Sequence, residues 1–544
     1  MFSCSLPLLL ASVVTASPVS AALREHLADF VPNQVIVKLT PTAQTADALA
    51  IRARLNATVI RRFASIDAEL WEIRGTTVAD AVDRFTNDSR VAIIEPNFLV
   101  HTFDRAENGA GVDLRAPNAV TPALDVFPND TLFDFLWGLH NTGQGGGTAD
   151  ADIDAPEAWS LVTGGSVVVA VIATGVDYTH EDLIDNIFSN PNETAGNGVD
   201  DDANGYIDDV RGWDFHDDDN DPFDDNGTGT ICAGPIAAVG NNGAGVVGVS
   251  WSARILPLKF LDDTGSGSTA DAIQALEYAS LMGAKLCCNP WGSGTYSDIL
   301  RLAIGEAGIL FVAVAGNSGL DIDVTPIYPA SYDLENIIAV AGTNRSDDMS
   351  PTSNYGLESV DMGAPGWEIA STYPPDSYSY FSSTSMAAAH VSGAACLLWS
   401  YAPGLTSAGV KNYILSSVDV IPSLQGRTVT GGRLNVANML SLITDVDSDA
   451  SPKQFALFAN RPNPFNPATT IAYDLAEPVD VRLVLYDVRG RQVREMVRAT
   501  QAAGRYAVSW DGRGDGGEYV ASGVYFYRLA AGSFVQTRKM VLLK

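Results

Sequence analysis

Two short stretches of this chain carry residues whose types and spacing could do chemistry. In Ser383-Thr-Ser-Met-Ala-Ala-Ala-His-Val391, Ser385 opens a predicted helix that runs to Ser400. The N–H groups and dipole at such a helix start favour an anion. A serine hydroxyl is a weak nucleophile at neutral pH, so it needs a base within hydrogen-bond reach. That base, an imidazole, in turn needs a carboxylate to hold its tautomer. The central region offers His140, His180, His216 and His390, and His216 lies in an acidic loop from which it would have to swing in. The second stretch, Asp200-Asp-Asp-Ala-Asn-Gly-Tyr-Ile-Asp-Asp209, sets out Asp200, Asp202 and Asp208 with Asn204 between them and a glycine for the turn. Alternating oxygen ligands followed by glycine suit a calcium loop, although the Glu that closes an EF-hand loop is absent. The alternative is a solvated acidic loop. The run Asp217 to Asp225 reads as plain acidic surface.

These stretches must be positioned by a chain of 544 residues, long enough for two or three domains. Its formal net charge of −32 repels nucleic acid and anionic lipid and suits an extracellular protein or one holding cations. Residues 1–21 read as an export signal, with an apolar Leu-Pro-Leu-Leu-Leu core and small residues before Ala21, though without a basic start. No later apolar run reaches the ~18 residues that span a bilayer. Beyond Cys4, the cysteines are Cys232, Cys287, Cys288 and Cys396; none has zinc-ligand spacing, and buried small hydrophobes are the expected role. Export also permits a long-range disulfide.

Residues 29–104 show an α+β pattern, with alternating strands at Gln34-Val-Ile-Val-Lys-Leu and Val91-Ala-Ile-Ile-Glu-Pro-Asn flanking two helices. A Gly-, Asn- and Pro-bearing loop follows. Residues 128–444 alternate helices with continuously apolar strands such as Val167-Val-Val-Ala-Val-Ile and Leu310-Phe-Val-Ala-Val-Ala. Strands of that kind are buried on both faces of a parallel sheet, so this is a doubly wound α/β domain. A polar linker at 445–453 leads to 454–544, where period-2 strands between turns predict a small all-β sandwich.

Three stretches of the middle domain resemble the subtilisin-like serine peptidases (subtilases). Val169-Ala-Val-Ile-Ala-Thr-Gly-Val-Asp is similar to the segment around that family's catalytic Asp, and Gly227-Thr-Gly-Thr to the one around its His. Ser383-Thr-Ser-Met-Ala is similar to the segment around its nucleophile, and the three occur in the subtilase order. The resemblance places Ala173 at the acid position, Thr228 at the base position and Ser385 at the nucleophile. Alanine orients nothing, and threonine accepts no proton at any useful pH. His180 and His390 fall where the family carries histidines without triad duty, and Asp177 is expected to be aimed elsewhere.

The same resemblance assigns Asn317, in Ala315-Gly-Asn-Ser-Gly, to the oxyanion hole. It also assigns Pro290, Trp291, Gly292, Ala315 and Gly316 to the edges that bind substrate. Pro290 replaces a serine there, and Ser383 replaces the glycine before Thr-Ser. The front domain resembles a subtilase propeptide, its Glu95-Pro-Asn-Phe closing the segment, and a broken triad implies that it stays attached. An unrelated α+β domain is the alternative. The last unit resembles Ig-like C-terminal domains of the flagellar hook-capping type, which Gram-negative bacteria place on exported proteins as sorting modules; a generic ligand-binding sandwich is the alternative.

Three functions follow from these readings. One is a secreted or cell-surface pseudopeptidase whose groove holds a peptide or its own propeptide, with the last domain addressed to export machinery. The second is a working serine endopeptidase with an unorthodox site. The third is a structural or adhesive surface protein. The first is the expectation.

Overall fold

The computed structural model describes residues 30–103, 126–444 and 455–542, except 459, 461–462, 464, 466–468, 517–518 and 533. The expected leader and the linker 445–453 lie outside them. In the N-terminal domain, β1 (Phe30–Leu39) leads through α1 (Thr45–Leu55) into the hairpin of β2 (Thr58–Phe63) and β3 (Ala68–Glu72). Helix α2 (Val78–Phe85) and strand β4 (Val91–Thr102) complete it. The sheet order is β4-β1-β3-β2, all antiparallel. The inward residues of the alternating strand β1, Val35 and Val37, meet Ile51, Trp71, Val82 and Phe85 in one core. Thr77 caps α2 by accepting from Asp80 N–H at 3.0 Å.

The middle domain carries α3 (Ala155–Trp159), β5 (Val168–Ala173), β6 (Trp213–Asp214), α4 (Thr228–Ala237), β7 (Arg254–Lys259) and β8 (Ser266–Ser268). After them come α5 (Thr269–Leu281), β9 (Leu286–Asn289), β10 (Trp291–Gly292), α6 (Asp298–Glu306), β11 (Leu310–Val314) and β12 (Ile337–Thr343). Next are β13 (Met362–Pro365), the hairpin of β14 (Ile369–Tyr373) and β15 (Ser377–Phe381), and α7 (Thr384–Tyr401). Helix α8 (Ser407–Ser416), β16 (Asp419–Val420), β17 (Gly432–Arg433) and α9 (Val436–Thr444) finish the domain. Nine strands run in the order β16-β17-β13-β12-β11-β9-β5-β7-β6, parallel except at the β16–β17 edge. Because both faces are covered, β5 and β11 are apolar throughout, and β9 and β12 are polar only at their last residues, Asn289 and Thr343. One core gathers α4, α7 and α9 against the sheet, and the other gathers α5 and α6 together with Ile36, Phe63 and Leu70 of the N-terminal domain. Cys232, Cys287, Cys288 and Cys396 are buried within these cores, and no disulfide joins them.

The C-terminal domain packs a three-stranded sheet on a four-stranded one. The first joins β18 (Ala456–Leu457), β19 (Thr469–Leu475) and β22 (Gly504–Trp510). The second runs β21 (Gln492–Gln501), β20 (Val479–Asp487), β23 (Gly523–Ala531) and β24 (Phe534–Leu542). Tyr473, Leu483, Trp510 and Tyr527 fill the space between them, as facing sheets require.

One expectation is corrected at the sheet edge. The run 217–225 is not all surface: Asp217, Asp218, Asp219 and Asp221 are exposed, but Asp224 is buried beneath the start of α4. The chain must turn inward there to begin that helix, and Gly227, at φ 116°, makes the turn.

Candidate active site

Strand β5 ends at Ala173, which is fully buried and whose carbonyl accepts from Phe260 and Leu261 N–H at 3.0 and 3.2 Å. Its methyl group lies 3.5 Å from where a Cβ on Gly229 would stand, so it sits against the first turn of α4. Thr228 opens that helix. Its hydroxyl donates to Asn226 Oδ1 at 2.8 Å, where a hydroxyl can orient but cannot take up a proton. Ser385 is the second residue of α7, and Asn317 follows β11 with its Oδ1 accepting from Thr384 N–H at 2.8 Å and Thr384 Oγ1 at 3.0 Å. The fold thus brings the ends of β5, α4, β11 and α7 together at one rim, where ligands bind in open α/β sheets. The Ser385 Oγ is buried and has no hydrogen-bond partner.

None of the other candidate bases is placed to serve it. His390 is buried in the second turn of α7, its Nδ1–H bonds Met386 O at 2.8 Å, and burial pushes its pKa down to about 4. The His180 ring is held by Ser377 O at 2.9 Å and by Asp182 N–H at 3.1 Å, while His140 stacks among Phe127 and Phe133. His216 is exposed beside Asp217. Asp177 is turned away, accepting from Thr179 and from Asp376 N–H. Buried Lys259 donates to Thr174 O, Leu261 O and Asp225 Oδ1, which commits all three of its protons.

Asp224, missed by sequence reasoning because it ends an acidic run, is the buried carboxylate beside α4. It accepts from Thr174 Oγ1, Thr230 Oγ1 and the N–H groups of Asn226, Gly227 and Thr230. Desolvation raises its pKa. Five donors fix it as a scaffold for the turn, and it orients no imidazole.

The groove is filled by the chain itself. Strand β4 of the N-terminal domain lies between two edges of the middle domain, pairing antiparallel with β8 (Leu99 to Ser268, His101 to Ser266) and with β10 (Thr102 to Trp291, His101 to Gly292). Thr102 N–H donates to Gly265 O at 2.9 Å, and Thr102 Oγ1 reaches Thr228 Oγ1 at 3.4 Å. One residue on, the Phe103 carbonyl accepts from Asn317 Nδ2 at 3.4 Å. A Cβ added at Gly292 would lie 3.0 Å from the Phe103 ring, and one added at Gly316 would lie 3.8 Å from it. The two glycines therefore leave the hollow into which this aromatic ring fits. Pro290 precedes β10 without preventing the pairing. Trp291 lends only its backbone to the groove, since its indole is in the core and donates to Ile172 O at 2.9 Å. Ala315 is buried at the end of β11, where its carbonyl accepts from Asn354 Nδ2.

Two further contacts dock this strand. Glu95 is buried and meets the start of α6, accepting from Ser297 Oγ and from Asp298 N–H at 3.0 Å. Burial pushes its pKa up to about 7. Asn97 Oδ1 accepts from Ala270 N–H at 2.9 Å in the first turn of α5. The N-terminal domain therefore caps two helices of its neighbour.

The expected cation loop closes differently from its sequence spacing. Asp208 reaches back across the loop to accept from the Asn197 and Gly198 N–H groups, and Asn204 Oδ1 accepts from Tyr206 N–H to complete a local turn. Asp200 and Asp202 instead come together with Glu193, one oxygen of each lying within 4.8 Å of the others. Glu193, seven residues before the motif, carried no signal of its own. Three carboxylates at that spacing suit a hard cation such as calcium.

The model of the subtilase family, peptidase S8, matches residues 164–450. That of the fervidolysin N-terminal prodomain matches residues 16–97, and that of the FlgD Ig-like domain matches residues 465–533. Thermitase of Thermoactinomyces vulgaris is 37% identical over 286 residues, covering 52% of this chain and 91% of thermitase. A thermophilic serine proteinase of Bacillus sp. strain AK1 is 31% identical over 417 residues, covering 76% of this chain and 88% of that protein. Among solved structures, fervidolysin from Fervidobacterium pennivorans, described as a keratinolytic enzyme related to subtilisin, superposes with a TM-score of 0.60 at 19% identity. It covers 94% of this chain and 76% of its own, a likeness that bears on the fold alone.

Proposed function

Because this chain belongs to the subtilase family, with a prodomain in front and a FlgD-type Ig-like domain behind, we propose that it is an exported, catalytically silent member that holds extended peptide in its groove. The observation that carries this reading is the isolation of Ser385: its Oγ is buried and unpartnered, while the positions of its base and acid hold Thr228 and Ala173. Without a proton acceptor the hydroxyl has no route to an alkoxide. In subtilisin itself, loss of such groups lowers turnover by roughly 10⁴ to 10⁶. What survives is the binding apparatus: β8 and β10 as ladders, the hollow at Gly292 and Gly316, and the Asn317 amide. Its resident occupant is the chain's own prodomain strand, and a peptide or protein ligand of similar form is the proposed alternative occupant.

The C-terminal domain is proposed to address the protein to export machinery and the surface of a Gram-negative-type cell, and the Glu193, Asp200 and Asp202 cluster to hold structural calcium. No described helix is long and apolar enough to cross a membrane. A second reading, slow turnover by an unorthodox site, is favoured by one observation, the reach of the Asn317 amide to the Phe103 carbonyl. One assay decides between them. The wild type should hydrolyse an extended peptide ester no faster than Ser385→Ala, and Ala173→Asp with Thr228→His should gain Ser385-dependent hydrolysis. Wild-type turnover that Ser385→Ala abolishes would overturn the proposal.

A further inference from the structure

A cavity of about 360 Å³ opens where three parts of the chain meet, and none of its lining residues belongs to the groove. Its size is in the range of small-molecule sites. Helices α5 and α6 give it an aliphatic lining of Ile273, Leu276, Ala303 and Ala307, with Leu281 exposed at the rim. The loop 200–209 contributes Asn204 and Tyr206. The third wall is Ala64 and Ser65, at the tip of the β2–β3 hairpin, so the cavity is complete only while the prodomain is docked.

The unpaired polar groups of this cavity favour a cation. Glu277 Oε1 accepts from Ser65 N–H at 2.7 Å and from Ser65 Oγ at 2.6 Å, which ties the hairpin to α5 and leaves Oε2 without a donor among the described residues. Glu306 is exposed, and its carboxylate meets no donor among them either. The Tyr206 ring is set edge-on against Trp213 and Tyr278, at 5.0 and 4.9 Å between centroids, yet its hydroxyl has no hydrogen-bond partner among the described residues. Burial pushes that hydroxyl's pKa up to about 12, so it stays neutral. Tyr278 Oη is engaged, donating to Asp209 at 2.6 Å, and Arg61 of β2 is paired instead with Asp271 at 3.0 Å. Two carboxylates and a phenol oxygen over an aliphatic lining, in a chain of net charge −32, suit a ligand with a positive, hydrogen-bonding head and an apolar body. We propose that the cavity binds a small organic amine, its ammonium group held by Glu277, Glu306 and Tyr206 and its stem on Leu276, Ala303 and Ala307, and that the bound amine fastens the prodomain hairpin to α5. This needs the prodomain in place but does not need a silent Ser385.

The test therefore uses the full chain carrying Ser385→Ala, which cannot remove its own prodomain under either reading of the active site, with calcium held constant. Phenylbutylamine, phenylbutanol and phenylbutyrate share one body and differ in the head, and calorimetric titration ranks them. The amine should bind about tenfold or more tightly than the alcohol, the range of a hydrogen bond to a charged group, and the carboxylate should not bind measurably. Glu306→Gln should weaken the amine about fivefold and the alcohol less than about twofold. Ala307→Leu, which fills the cavity, should remove both. Bound amine should also slow hydrogen exchange over residues 63–68. Equal affinities for amine and alcohol would overturn the cation reading, and amine binding that survives both substitutions would overturn the site. No amine binding by a chain that melts like wild type would overturn the proposal outright. Binding that leaves exchange at 63–68 unchanged would overturn the link to the prodomain. If Ala307→Leu melts below wild type, Ala64→Leu fills the cavity from the prodomain side and is read in the same way.

Discussion

Replacing Glu95 with glutamine should stabilise the docked prodomain at pH 8 and leave it nearly unchanged at pH 5. Glu95 is 8% exposed, and its carboxyl is pushed up from an ordinary 4.5 to about 7. Desolvation is the largest cause, and it outweighs the donors that stabilise the charge: Ser297 Oγ and the Asp298 and Ile299 N–H groups. Between these two pKa values the folded chain holds a proton that the unfolded chain has released, so stability falls as pH rises through that window. The full difference corresponds to roughly 3 kcal/mol above pH 7. Glutamine resembles the protonated acid: its carbonyl can accept from Asp298 N–H, and its amide can donate to Ser297 Oγ. The variant should therefore escape most of that loss at pH 8 and match wild type at pH 5. Burial raises Asp152 to about 7 and Asp130 and Asp214 to about 6, so wild type itself should lose stability over the same range, and Glu95→Gln should flatten only part of the slope. Calorimetry at the two pH values, with hydrogen exchange of β4 and α6, measures both. A glutamine variant less stable at pH 8, with the wild-type pH slope, would refute the burial argument.

Two other outcomes are expected. Gly292→Val should expel the Phe103 ring, because even a Cβ would stand 2.5 Å from Tyr328 O and 3.0 Å from that ring; faster hydrogen exchange over Leu99–Phe103 would report it, and unchanged protection would contradict the pocket. Chelation should lower the melting temperature if calcium sits at Glu193, Asp200 and Asp202, and Glu193→Gln should abolish that response; a melting temperature indifferent to chelator removes the proposed ion.

Much of this was legible from local pattern. Continuous apolar runs mark β5 and β11 because a parallel sheet buries both faces. Ser385 follows a polar N-terminal signal and opens an alanine-rich helix, so its place at the start of α7 was readable. The rest depends on contacts between distant residues. Edge strand β21, Gln-Val-Arg-Glu-Met-Val-Arg-Ala-Thr-Gln, sets Arg494 and Glu495 side by side and shifts register against β20, so no alternation of apolar and polar residues marks it. Asp224 looks like its acidic neighbours until five donors close around it. Glu193 meets Asp200 only through the fold of its loop. Strand β4 continues past the expected Asn97 to Thr102 because β8 and β10, some 165 to 190 residues away in the chain, supply its partners.

If Ser385 performs no chemistry, the full-length chain and its Ser385→Ala variant are processed alike, and intact mass of the two reads this out. Both chains should keep the prodomain attached, with masses differing only by the substitution. A cut after Phe103 that is present in the wild type and absent from the variant would contradict it.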